Sequence, residues 1–382
     1  MKLLIPVAAG LEQTVKRQLF SLGYEKAPAD NGRISIDGDW QDVARLNVFL
    51  RSGERVLIEL ARFPATTFDE LFDGVYAIAW ENYLSVDSKI LMDGKSFQST
   101  LAAVKAAGGV AKKAVIRRLA DKLQKGRQTF SETGARAIVG VSVYKDVVTV
   151  TLDTSGDGLH KRGYRSLAYT APLKETLAAA LIDNTFYNPD ADEEKPFADL
   201  FCGSGTIPIE AAMKALKIAP GLKRDFDFTK WKCAPADVLP LAKQEAQDIW
   251  LRTRKLNIYG GDINPQAISV AKYHAKQAGV ADFIRFEQAD ATKFRADTPY
   301  GVLLSNPPYG ERLSDERAVQ ALMKELGKTF RALPDWNAYL LTSLPELERH
   351  FGGRADKKKK LSNANLPCGF YCYFGKSPKT GK

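Results

Sequence analysis

The run Val302-Leu303-Leu304-Ser305-Asn306-Pro307-Pro308-Tyr309 constrains this chain more than any other stretch. Val302, Leu303 and Leu304 suit a buried parallel strand, but neither proline has an N–H to give a sheet ladder, so the strand must stop near Asn306. A polar residue is thereby held at a strand's carboxyl end. Asn306 offers a side-chain carbonyl and Pro307 a backbone carbonyl, two acceptors that suit the two hydrogens of an exocyclic amine. Tyr309 offers a ring to stack on the base that carries it. An amine gripped this way points its nitrogen lone pair at an electrophile, and no strong general base is needed beforehand. An Asn-Pro pair is also a common turn starter. The rest of the chain must therefore supply a methyl donor and a nucleic acid.

A donor pocket is readable upstream. Phe197-Ala198-Asp199-Leu200-Phe201-Cys202-Gly203-Ser204-Gly205-Thr206, followed by Ile207 to Ala212, predicts strand, glycine turn and helix. Gly203 and Gly205 let the backbone pass close to a ligand, beside the free N–H groups of a new helix. A second acidic strand end follows in Leu256 to Asn264, where Asp262 is placed to bind ribose hydroxyls. The gap between the two exceeds the ~20 residues of a dinucleotide fingerprint, which argues against a standard nicotinamide site. An insertion between about Lys217 and Arg252, containing Trp231, Cys233 and Trp250, accounts for it. A third strand over Phe283 to Phe286 leads to Asp290, placed to accept from an adenine amine. Three carboxylates at successive strand ends, with Asn306 at a fourth, predict one crevice along the sheet's carboxyl edge.

The formal net charge of +10 favours an anionic partner, and its placement says more than its size. Between Leu101 and Thr170 there are thirteen Lys and Arg against five Asp and Glu, a surplus of eight. A helix over Val110 to Gly126 turns Val115, Ile116, Leu119 and Leu123 inward. It crowds Lys112, Lys113, Arg117, Arg118, Lys122 and Lys125 on the remainder, with only Asp121 to offset them within the helix. Uncompensated like charge of this kind predicts phosphate contact. Lys161, Arg162 and Arg165, around Gly163 and Tyr164, extend that reading. Lys357 to Lys360 reads more simply as a solvated face. Cys202, Cys233, Cys368 and Cys372 form no C-x-x-C pair and the three histidines form no cluster, so no metal site or disulfide framework is indicated. No segment is long and apolar enough to span a membrane. The opening Leu3 to Ala8 reads as a strand rather than a signal peptide, because a helix with Leu11, Val15 and Leu19 on one side follows at once. The expected compartment is the cytoplasm.

In chain order the pattern gives a small α+β unit over residues 1–50, then mixed strands and helices over 51–155. In the second of these, Ala137 to Tyr144 and Val147 to Leu152 are predicted to form a hairpin through Lys145-Asp146. A turn-rich, basic linker over 156–170 follows. From Ala171-Pro172, which starts a helix, to residue 382 strands and helices alternate as in a parallel sheet covered on both faces.

The order Asp199 to Thr206, then Asp262, Asp290 and Asn306-Pro307-Pro308-Tyr309, resembles the S-adenosylmethionine-dependent amino-methyltransferases. With the basic α+β region and the Leu159 to Arg165 segment, the chain is similar to the THUMP-containing RNA guanine-N2 methyltransferases. Within them it resembles the short, single-methyltransferase-domain form of the bacterial RlmL-type large-subunit rRNA enzymes. The resemblance covers nearly the whole chain. It implies a ferredoxin-like part, a THUMP RNA-binding domain and a Rossmann-like methyltransferase domain, an α/β architecture behind an α+β region. It further implies S-adenosylmethionine as donor, held by Asp199, Cys202, Gly203, Ser204, Gly205, Thr206, Asp262, Ile263, Asp290 and Ala291. Asn306, Pro307, Pro308 and Tyr309 would hold the guanine amine and stack the base. The expected partner is 23S rRNA or a large-subunit precursor. The catalytic motif alone is shared with adenine-N6 and glutamine methyltransferases. A tRNA guanine-N2 methyltransferase, an adenine-N6 methyltransferase and a non-catalytic RNA-binding assembly factor therefore stand as the other readings.

Overall fold

The computed structural model describes residues 1–30, 32–123, 131–167, 173–309, 313–364 and 366–376. The chain divides into two compact units. One comprises Met1–Pro6, Leu19–Leu159 and Arg224–Glu245, the other Val7–Gln18, His160–Lys223 and Ala246–Lys382. The expected insertion thus splits, since Arg224–Glu245 packs with the first unit although it lies far along the chain. Trp231 is buried there and its indole N–H donates to the Arg136 carbonyl at 3.0 Å, while Asp227 pairs with the Arg136 guanidinium at 2.6 Å.

The first unit holds a seven-stranded sheet built from β1 (Lys2–Pro6), β2 (Ala29–Asp30), β3 (Arg33–Asp37), β4 (Leu57–Pro64), β5 (Lys89–Phe97), β6 (Arg136–Tyr144) and β7 (Val147–Asp153), in the order β2-β3-β1-β4-β7-β6-β5. All neighbours are antiparallel except β5 and β6. The predicted hairpin joins β6 to β7, with Lys145 and Asp146 both at positive φ, the backbone that suits a two-residue turn between twisted strands. Burial alternates along β6: Ala137, Val139, Val141 and Val143 are buried, and the residues between them are not. After α1 (Glu12–Ser21), most of which belongs to the other unit, the first unit's helices are α2 (Trp40–Phe49), α3 (Phe68–Tyr76) and α4 (Val104–Leu123).

Sequence reading passed over α2, although Asp39 and Asp42 form a capping box at its start. It also began α4 too late, at Val110. Gly108-Gly109 reads as a break by propensity, yet the helix runs through both, with Ala107, Gly108 and Ala111 buried. Leu123, expected to face inward, is exposed. The predicted end of this helix at Lys125 and Gly126 and the Ala171-Pro172 helix start lie outside the described residues.

The second unit holds another seven-stranded sheet: β8 (Phe197–Asp199), β9 (Ile258–Asp262), β10 (Ile284–Gln288), β11 (Tyr300–Ser305), β12 (Asp335–Thr342), β13 (Lys357–Asn363) and β14 (Leu366–Tyr373), ordered β10-β9-β8-β11-β12-β14-β13. The first five in this order are parallel, and β14 and β13 close the edge antiparallel. Its helices are α5 (Glu175–Asp183), α6 (Thr206–Ala215), α8 (Pro265–Ala278), α9 (Leu313–Arg331) and α10 (Leu347–Phe351), with α7 (Val238–Asp248) between α6 and α8. Val319, Met323 and Leu326 of α9 and Leu347 and Phe351 of α10 cover one face, packed on Leu303, Ala338, Leu340 and Tyr371. The lysines Lys357 to Lys360 lie on the edge strand β13, where charge discourages pairing with another chain. The chain passes from β8 outward to β9 and β10, then returns to β11 on the other side of β8. This reversal opens a crevice at the strands' carboxyl ends.

Candidate active site

Each strand next to the reversal delivers one polar residue to the crevice. Asp199 is the last residue of β8, Asp262 the last of β9, Asp290 follows β10 and Asn306 follows β11. All four line one cavity of about 390 Å³, together with Cys202, Gly203, Ser204, Thr206, Ile263, Ala291 and Pro308. The sequence predicts these eleven positions, and the fold brings them together. Gly205, Pro307 and Tyr309 do not line it. The cavity also takes Leu173, Leu200, Phe201, Ile207, Ala289 and Leu322. Leu200 and Phe201 sit inside the glycine motif and could have been inferred. Leu322 comes from α9 and carries no local signal.

The glycine turn has two separate reasons for its two glycines. Gly205, at φ +85°, begins α6 in a left-handed conformation, and a Cβ there would sit 2.9 Å from the Ala271 Cβ of α8. Gly203 is also left-handed, at φ +52°, but a Cβ there would meet nothing within 4 Å. Its missing side chain leaves the backbone open to a ligand. Asp262 fixes the turn from the neighbouring strand, accepting from the Gly203 N–H and the Asn264 N–H, each at 2.9 Å. A carboxylate has about four acceptor sites, so two remain for a ligand's hydroxyls. Ile263 beside it is 71% exposed, an apolar side chain left bare at the rim. Asp290 accepts from the Thr292 N–H and hydroxyl and caps a short turn, which holds its carboxyl below the usual range. A nucleoside-bearing ligand fits such a cradle: acidic acceptors at two strand ends, an apolar rim and a side-chain-free backbone.

Asp199 is fully buried. Burial raises its carboxyl from the usual range to about 7, against the Phe201 amide and Ser305 hydroxyl that favour the charged form. Burial likewise pushes the Cys202 thiol up, so it is no nucleophile. At the far side, the Tyr309 hydroxyl donates to Asn306 Oδ1. Burial holds that phenol above its ordinary range, so it stays a neutral donor. An amide oxygen has two lone pairs, and the second is free for an incoming amine. Asn363 Nδ2 reaches the same phenol oxygen at 3.5 Å, tying Tyr309 to β13.

The expected phosphate contacts fare differently. Lys113, Arg117 and Lys122 are exposed on α4. Lys112 pairs with Glu132 at 2.7 Å, Arg118 with Glu81 at 2.6 Å and Arg117 with Asp121 at 2.9 Å. The like charge of the helix is offset in part, because the fold brings Glu132 to Lys112 and Glu81 to Arg118 from outside it. Lys161 is exposed, but Arg162 is interior and pairs with buried Glu210 at 3.4 Å, and Arg165 pairs with Glu175 at 3.2 Å. Placing Arg162 on an RNA-facing surface is therefore corrected: its guanidinium neutralises a carboxylate that α6 buries behind the glycine turn.

Comparison with known proteins gives three family matches: an RlmL ferredoxin-like domain over residues 2–57, a THUMP domain over 65–153 and an RMKL-like methyltransferase domain over 162–371. The Bacillus subtilis protein named RNA methyltransferase YpsC is 41% identical over 369 residues, 96% of this chain and 94% of that one. The ribosomal RNA large subunit methyltransferase K/L of Psychromonas ingrahamii is 33% identical over 371 residues, 95% of this chain but 49% of that protein. Among solved structures, the methyltransferase SMU.472 in complex with SAH is 38% identical, with a TM-score of 0.91 over 99% of each chain. A Listeria monocytogenes structure described as a predicted N6-adenine-specific DNA methylase is 43% identical, with a TM-score of 0.91 over 98% of this chain and 96% of that one.

Proposed function

The chain belongs to the RMKL-like methyltransferase family, and from that premise we propose that it methylates the exocyclic N2 amine of a guanine in large-subunit ribosomal RNA. S-adenosylmethionine is the donor, and when bound it supplies an electrophilic methyl group. The observation that carries the reading is Asn306 opening, at the end of β11, onto the cavity that Asp262, Asp290 and Gly203 line. Asp262 takes the ribose hydroxyls, Asp290 the adenine amine, and the open Gly203 backbone lets the methionine part lie close. Asn306 Oδ1 and the Pro307 carbonyl accept the two N–H of the target amine, turning its lone pair toward the methyl group. Tyr309 braces Asn306 and offers its ring to the extruded base. Positioning and desolvation do the work, since an aromatic amine loses its proton readily once methyl transfer has made the nitrogen cationic. Extruding a base costs a few kcal/mol, and stacking returns about 1–3 kcal/mol per base.

The choice of large-subunit RNA is supported by the RlmL-type domain and the name of the K/L relative, and the choice of guanine rests on the family resemblance of the motifs alone. An adenine-N6 reading is favoured by one observation, the activity ascribed to the Listeria monocytogenes neighbour; two carbonyl acceptors hold an adenine amine as well. Incubating the protein and donor with undermodified rRNA and tRNA, then digesting to nucleosides, decides between them. N2-methylguanosine in large-subunit RNA is the expected product. Methyladenosine alone, or product in tRNA alone, overturns the assignment.

A further inference from the structure

A concavity that the donor site does not explain lies in the first unit, on the more exposed face of its sheet. Residues of this face line a trough of about 560 Å³. The sheet curls so far that Arg33 of β3 donates to Ser142 Oγ of β6 at 2.6 Å, across the strands between them. Its lining is neither apolar nor neutral. Lys2, Arg33, Arg62 and Lys95 face Asp30 and Glu59, a surplus of two positive charges. Glu59 is already taken by Lys2 at 3.0 Å, and Arg62 and Lys95 have no carboxylate partner among the described residues. At one end two aromatic rings lie side by side. Phe97 and Tyr144 are register neighbours on β5 and β6, with centroids 6.1 Å apart and planes 5° from parallel. Phe97 is 64% exposed, and Lys145 Nζ sits 5.3 Å from the Tyr144 ring centroid.

Resting on the RNA reading above, we infer that this trough holds a single-stranded segment of the substrate RNA, with a base stacked on Phe97 and phosphates against Arg62 and Lys95. Exposed parallel rings give bases a platform that every base can use, and flanking cations follow the backbone. The A-form duplex offers no unstacked base to such a pair, so a single strand is the occupant that uses both features. The charge surplus excludes an acidic-site partner such as a basic peptide. The hydroxyls of Ser35, Ser142 and Thr149 along the floor add donors and acceptors for base edges or 2′-hydroxyls.

The test uses the full chain and fluorescence anisotropy with a short single-stranded RNA of mixed sequence and a duplex of equal length. Phe97→Ala is expected to weaken the single strand roughly tenfold and leave the duplex nearly unchanged, while Phe97→Trp keeps the affinity. Arg62→Ala and Lys95→Ala are each expected to reduce the salt dependence by about 0.7 in slope. Exposed positions make misfolding a minor concern, and an unchanged thermal unfolding transition and circular dichroism spectrum in each variant verify it. Wild-type protein without affinity for the single strand, an unaffected Phe97→Ala, or equal losses on strand and duplex would each overturn the trough. The two readings fail separately: wild-type protein that binds the strand in this Phe97-dependent way but methylates no RNA overturns methyl transfer and supports the trough.

Discussion

Two sheets of seven strands in one chain expose different parts of themselves. The first, nearly all antiparallel, buries one face and leaves the other open, so its chemistry is spread over a surface of alternate residues such as Lys95, Phe97, Ser142 and Tyr144. The second, mainly parallel, carries its chemistry on the carboxyl edge, where Asp199, Asp262, Asp290 and Asn306 converge. A face suits a long, repetitive ligand. An edge crevice suits one reacting group and one small donor. The same contrast appears in two buried carboxylates. Asp153 ends β7 and is raised by burial to about 6, moderated by the Arg55 guanidinium and the Ser155 amide. Asp199 ends β8 with no cation beside it among the described residues and rises to about 7.

The comparison breaks most readily at buried charge. Arg162→Ala strands Glu210 in the interior, and a loss of about 3–5 kcal/mol in denaturant unfolding is expected. The exposed pair of the first unit gives the control: Arg117→Ala should cost under about 1 kcal/mol. An equal loss in both would show that burial does not separate them. Next comes the edge itself. Asn306→Ala should lower kcat by roughly 100-fold to 1000-fold with donor affinity unchanged, because the acceptor acts only on the target amine; calorimetry beside single-turnover methyl transfer separates the two. Asp262→Ala should do the reverse, weakening donor binding by about 10-fold to 100-fold through lost charged hydrogen bonds. Undiminished SAH affinity in that variant would remove Asp262 from the donor site.

The last expected effect is a slope rather than a single loss. Both raised carboxyls bind a proton more tightly folded than unfolded, where a carboxyl ionises near ~4. Each therefore contributes stability that is full below about 4 and lost as pH rises, through about 6 for Asp153 and about 7 for Asp199. Asp199→Asn should flatten the decline of unfolding free energy between about 4 and 7 and leave the Asp153 part, below about 6, in place. A slope unchanged over the whole window would mean that Asp199 is ionised in the fold.

Much of the site was legible before the fold was known. Two prolines end β11 wherever it is placed, glycine favours a backbone at positive φ, and an acidic residue after an apolar run marks a strand end. These are local facts of covalent geometry and hydrogen-bonding capacity, and they located the cavity's polar residues. The early start of α4 was not legible, because Gly108 and Gly109 are poor helix formers by propensity and the packing that buries Gly108 is tertiary.

What sequence by itself determined, then, is which polar residues stand at the strand ends that border the cavity. The tertiary structure alone decided which charges are available. Arg162, Arg118 and Lys112 look alike on paper as basic residues near one another in number. Whether each meets solvent or a carboxylate depends on Glu210, Glu81 and Glu132, brought in by packing. The open trough is decided the same way. Phe97 and Tyr144 lie far apart along the chain, and only the parallel pairing of β5 with β6 sets their rings side by side. Electrostatic pairing and sheet register are properties of distance in space, which local sequence does not encode.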